Sequence, residues 1–62
     1  MSELHLQADQ FQVGDIVHTD EGRSVEIRSI ERRDGGELIV NPGAPDELEG
    51  MVWQTAKVTR NA

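Results

Sequence analysis

The groups that could do chemistry in this 62-residue chain are few, and their spacing is uninformative for most reactions. His18 and Asp20 flank Thr19, so both side chains fall on one face of a strand and could hydrogen-bond, as an acid–base pair requires. Beside the Asp20–Gly22 turn signal, a solvated pair is the plainer reading. Ser24 and Ser29 sit in or beside a predicted strand, without the Gly-x-Ser-x-Gly turn that exposes a nucleophile. There is no His-Glu-x-x-His pattern, and the glycines of Asp34-Gly35-Gly36 lack the following Lys and Ser/Thr of a phosphate loop. With no cysteine, and only His5 and His18 as imidazoles, neither a disulfide nor a structural zinc site is expected. The sequence therefore predicts a protein that is not an enzyme and uses no cofactor and no metal.

Binding groups are more conspicuous. Asp46, Glu47 and Glu49 surround Leu48 in the stretch Pro42–Gly50, an acidic tip with an apolar centre that suits a basic protein surface. Trp53 follows closely; exposed, it would anchor a partner, and buried, it would serve as core or lid. Arg23, Arg28, Arg32 and Arg33 place four of six bases between residues 23 and 33, a candidate nucleic-acid patch. Glu26 and Glu31 interleave them, so pairing on a solvated face is the expected use. Twelve acids against six bases give a net charge of −6, which disfavours non-specific phosphate binding. One Phe, one Trp and no Tyr are too few for an aromatic peptide groove, a methyl-lysine cage or a base-stacking platform.

The elements that must position these groups read as strands. Ten Val or Ile residues and three Thr stiffen χ1 and favour a pleated surface, which predicts an all-β domain. A chain this short buries a thin core, with hardly room for a pocket of about 300 Å³ or more. Residues 1–10 read as an N-terminal arm, frayed or an edge strand, and residues 11–62 as the folded unit. Phe11–Thr19 is a strand interrupted by Gly14-Asp15. Run straight, it would put the Asp15 carboxylate among apolar residues, a prohibitive burial if unpaired. Gly14 is therefore expected to turn the chain and Asp15 to accept amide hydrogen bonds, with residues 11–13 as a lead-in packed across the core. Residues 23–33 alternate well but lose one residue of phase at Ser29-Ile30, which predicts a bulge or sharp bend. Asp34–Gly36 is the strongest hairpin signal. Residues 42–50 are expected to form a loop because two prolines and two glycines break them. A strand over Met51–Thr55, a single 3₁₀ turn over Ala56–Val58 and a short closing strand complete the expected pattern.

With this layout, "FQVGDIV" resembles the first strand of small SH3-like barrels of the KOW and Tudor-like bacterial families, in which an apolar residue, Gly-Asp and an apolar pair recur. The resemblance implies a five-stranded antiparallel SH3-like barrel with a short 3₁₀ turn before the last strand. Plasmid-encoded type II dihydrofolate reductases share the size and layout, but their Val-Gln-Ile-Tyr signature is not reproduced by "MVWQT", and that activity is not carried over. The function expected is a small accessory or regulatory module. It would bind a protein partner with a basic surface through Asp46, Glu47, Leu48, Glu49 and Trp53. A nucleic-acid-associated barrel using the four arginines is the second reading, and an oligomeric enzyme with its site at a symmetry axis the third. A homo-oligomer would extend so small a core. No run approaches the roughly 20 apolar residues of a membrane span, and the polar first ten residues lack a signal-peptide pattern, so a cytoplasmic protein without membrane contact is expected.

Overall fold

Gly14 adopts φ +98°, a left-handed conformation that an L side chain takes only with strain, and the chain turns there as its sequence requires. The computed structural model describes residues 2–60. At the turn the Asp15 N–H donates to the Gln12 carbonyl (3.1 Å), and the Gln12 N–H donates back to Asp15 Oδ2 (2.9 Å). Arg60 then approaches from the far end of the chain. Its Nε donates to Oδ1 (2.9 Å) and its Nη2 to Oδ2 (2.8 Å), a bidentate pair on a residue only 2% exposed. Arg60 Nη2 also reaches the Gln10 carbonyl at 3.2 Å. The carboxylate that could not be buried alone is buried with a partner. Phe11 packs into the core as a lead-in residue should, whereas Val13 is left 68% exposed.

The strands are β1 (Ser2–Gln7), β2 (Ile16–His18), β3 (Ser24–Glu26), β4 (Ile30–Arg32), β5 (Glu37–Val40), β6 (Leu48–Met51) and β7 (Thr55–Arg60). They form two antiparallel sheets, one ordered β1-β7-β2-β3 and the other β4-β5-β6. The domain is all-β, as expected, but seven strands in two sheets replace the expected five-stranded closed barrel. The 3₁₀ turns lie at Ala8–Gln10 and Asp34–Gly36, not before the last strand. Residues 55–60 instead run as one strand, since Ala56 and Val58 face Leu6 and Leu4 in register while Lys57 points to the other side. Val58, in the middle of the sheet, is fully buried.

Two further boundaries move. The loop after β5 ends at residue 47, so Leu48, Glu49 and Gly50 belong to β6 and not to a nine-residue loop. Gly50 is not a breaker there: a Cβ on it would lie 2.7 Å from Gln54 Oε1, so the missing side chain makes room for Gln54. The expected strand over residues 51–55 stops at Met51, because Gln54 closes a turn on it. Gln54 Oε1 accepts the Met51 N–H (2.8 Å), and the Gln54 N–H donates to the Met51 carbonyl (3.0 Å).

The expected bend at Ser29 separates β3 from β4, and Asn41 holds it. This residue, 2% exposed with φ +53°, accepts the N–H groups of Arg28 (2.7 Å) and Ser29 (3.2 Å) on Oδ1. Its Nδ2 donates to the Glu26 carbonyl at 2.9 Å and its N–H to the Ser29 carbonyl at 2.9 Å. The core gathers Phe11, Val17, Val25, Ile27, Leu38, Val40 and Val58 between the two sheets.

Two stability predictions follow from these polar clasps. Arg60→Met leaves Asp15 buried with one amide for a partner and should cost about 3–5 kcal/mol. Asn41→Ala orphans three backbone groups and should cost about 2–4 kcal/mol; urea unfolding midpoints measure both. The Arg60 hydrogen bonds lower the Asp15 pKa below its ordinary 3.8. Its contribution is therefore complete above that value and lost as pH falls through the lower folded value. Asp15→Asn should remove the part of the stability that the wild type loses as pH falls below about 4, read by circular dichroism.

Candidate functional site

Where the ladders stop short, the two sheets part. β2 pairs with β7 only through Ile16–Thr59, Val17–Val58 and His18–Lys57, while β7 extends back to Thr55. β6 pairs with β5 on one side, and among the described residues no ladder joins it to β7. The turn at residues 52–54 connects β6 to β7, which diverge from it like the arms of a V. A cleft of about 640 Å³ lies between them. A closed single-layer barrel would hardly enclose such a volume; here it lies open between two parted sheets.

The cleft floor is apolar, built from Phe11, Val17, Leu38, Val40, Leu48 and Ala56. Its borders are runs of consecutive residues: 48–50 from β6, 54–57 from the turn and the start of β7, and 17–20 from the end of β2 and the turn after it. Neighbouring residues of a strand point to opposite faces. Among the described residues, β6 has a strand neighbour on one side only and so does β7 at Thr55 and Ala56, whereas Val17, His18 and Lys57 are paired on both sides. Asp20 and Glu49 add negative charge to the cleft lining, and His5, Lys57 and His18, also in the lining, form one cross-strand row on the face opposite Val17 and Val58. Lys57 Nζ lies 3.3 Å from Glu3. The His18 ring is held at both nitrogens, Nδ1 by the Ser24 hydroxyl (3.1 Å) and Nε2 by the Thr59 hydroxyl (2.7 Å). Its partners are these two hydroxyls and not Asp20.

The residues singled out from the sequence meet different fates. Leu48 and Glu49 border the cleft, Leu48 packing against the core and Glu49 exposed. Glu47 is exposed at the end of the loop. Asp46 is tied to Arg28 at 2.6 Å, which lowers the Asp46 pKa and raises that of Arg28 through the same hydrogen bond. Trp53 is 60% exposed on the turn joining the two arms, where its indole ring covers Gly36. The four arginines do not act together. Arg28 serves Asp46, Arg32 donates to the Asp9 carbonyl (2.9 Å), and Arg33 pairs with Glu31 (2.6 Å) and Glu37 (3.5 Å). Arg23 stands exposed in the β2–β3 turn.

Sequence reasoning missed His5, Gln54, Thr55 and Lys57 as cleft residues. The signal within reach was the alternation of residues 55–60, which continues back to Thr55 without a break. Among the described residues, no group of three or more His, Cys, Asp or Glu is placed to hold a metal ion. Among the described residues, no helix is long and apolar enough to cross a membrane. Comparison of the chain with family models, with curated proteins and with solved structures finds no match.

The dispersal of the arginines predicts no saturable binding to labelled single- or double-stranded DNA or RNA in low-salt fluorescence anisotropy. Saturable binding that weakens steeply with salt would contradict this prediction.

Proposed function

We propose that this chain is a small, non-catalytic binding module that holds a protein partner with a basic surface. The observation that carries the reading is the apolar cleft bordered by the carboxylates of Glu49 and Asp20, beside an exposed Trp53. An apolar floor with a charged rim is the usual anatomy of a recognition site. An exposed tryptophan is the residue type most often found to dominate interface energy. A net charge of −6 favours encounter with a basic partner and repels phosphate backbones. The sequence resemblance to SH3-like barrels is consistent with an opened relative of that layout, whose parted sheets supply the site. A chain without cysteine suits the reducing cytoplasm.

The immobilised chain should retain a protein from native lysate that is reduced about tenfold on Glu49→Lys and on Trp53→Ala, the loss of about 1.4 kcal/mol or more expected of an anchor. Both substitutions are at exposed positions, and circular dichroism checks that each variant folds. Equal retention on the wild-type chain and both folded variants would overturn the proposal.

A further inference from the structure

The phase of hydrogen bonding along β6 and β7 decides which backbone groups face the cleft. The Val52 N–H donates to the Gly36 carbonyl at 2.8 Å, extending the β5–β6 ladder by one hydrogen-bonded pair. Antiparallel pairs alternate between bonded and non-bonded. In the observed register, Leu38–Gly50 and Val40–Leu48 are then bonded pairs, and Glu49 and Met51 turn their N–H and C=O groups away from β5. Both Met51 groups are taken by Gln54. Among the described residues, those of Glu49 have no strand partner.

The opposite arm follows the same logic. The Ala8 N–H donates to the Gln54 carbonyl at 2.8 Å, so Gln54, Ala56 and Val58 bond toward β1. Thr55, Lys57 and Thr59 turn the other way. Lys57 and Thr59 meet His18 and Ile16 of β2. The alternation is consistent across β2, where the Thr19 N–H donates to Arg23 (2.9 Å) and Asp15 accepts the Ile27 N–H (2.8 Å), both toward β3. Thr55 lies past the end of this ladder. Its counterpart in register would be Asp20, but the chain has already left for the β2–β3 turn. Glu49 and Thr55 thus offer a donor and an acceptor each from opposite borders of one cleft.

We infer that the cleft accepts an extended basic peptide as an added β-strand, pairing its backbone with Glu49 and Thr55; this rests on the reading of the chain as a protein-binding module. An extended segment supplies what the two free positions lack, a row of N–H and C=O groups at strand spacing. Its alternate side chains would fall on the apolar floor of Phe11, Leu38 and Val40. The side chains between them would meet Glu49 and Asp20 at the rim, which selects lysine or arginine over acids. A small apolar ligand would use the floor and leave the backbone groups unmet.

The test is an amide-resolved NMR titration of the ¹⁵N-labelled chain with three short synthetic peptides. One alternates valine and lysine, one alternates valine and glutamate, and the third is the first peptide N-methylated at alternate amides. The valine–lysine peptide should shift the Glu49 and Thr55 amides and slow their hydrogen exchange. The other two should bind at least about tenfold more weakly. Equal binding of the N-methylated peptide would overturn strand addition while leaving the binding-module reading standing. Equal binding of the glutamate peptide would overturn the basic preference. No binding up to about 1 mM, or shifts confined to other surfaces, would overturn the inference as a whole. Failure of the module reading shows separately, as equal retention on the Glu49→Lys and Trp53→Ala variants.

Discussion

The Asp15–Arg60 pair is the interaction on which the rest of the structure depends. It joins the first residue after the Gly14 turn to the last residue of β7, the strand that lies between β1 and β2 and holds both. The same guanidinium holds the carbonyl that ends the first 3₁₀ turn, so that turn, Asp15 and the end of β7 meet at one guanidinium. A domain of this size is stable by only about 3–9 kcal/mol. Leaving either charge unpaired costs about 3–5 kcal/mol, most of that margin. Against an apolar pair of equal shape, the net stabilisation from such an ion pair is small. What it specifies is the register: the Asp15 carboxylate accepts three hydrogen bonds, and the two from Arg60 form only when β2 and β7 are aligned as they are.

Asn41 performs the corresponding task at the second corner with a neutral side chain. Oδ1 collects two amides and Nδ2 one carbonyl from the segment where the chain leaves the first sheet for the second. An amide is the one side-chain group of this length that both donates and accepts, and Asn tolerates φ +53° better than other non-glycine residues. Both clasps fasten segments that would otherwise expose buried backbone groups. Neither reaches the end where β6 and β7 part, and that end stays open.

The parts legible in the sequence are those in which a local conflict demanded a local answer. A carboxylate in an apolar run had to coincide with a turn, and it does, at Gly14. Asp34-Gly35-Gly36 had to make a hairpin, and the lost phase at Ser29-Ile30 had to make a bend. What stayed hidden depends on residues far apart in the chain. Nothing near Asp15 indicates that its partner is Arg60, and nothing near Glu26 indicates that Asn41 will satisfy it. Gly50 looked like a breaker because its reason is the Gln54 side chain lying over it. The cleft was least legible of all. It arises from a ladder that ends at His18 while the neighbouring strand continues to Thr55, a difference of register that composition and alternation do not encode. Of the residues whose types suggest binding, Leu48 and Glu49 line the cleft, and Trp53 lies on the turn between its arms, outside the lining.

An open strand edge is a hazard as well as a site, since any extended chain, including a second copy, can pair with it. The β6 edge limits that hazard in two ways. Gln54 occupies both free groups of Met51, which shortens the available edge to the single position at Glu49. A two-fold pairing of β6 with its own copy through that position would set Glu49 directly opposite Glu49 of the copy. Like charges directly opposed across an antiparallel pair are destabilising. Under the proposed strand addition a basic segment at the same position would meet the opposite sign, so the Glu49 carboxylate would oppose a copy and favour such a segment by charge alone.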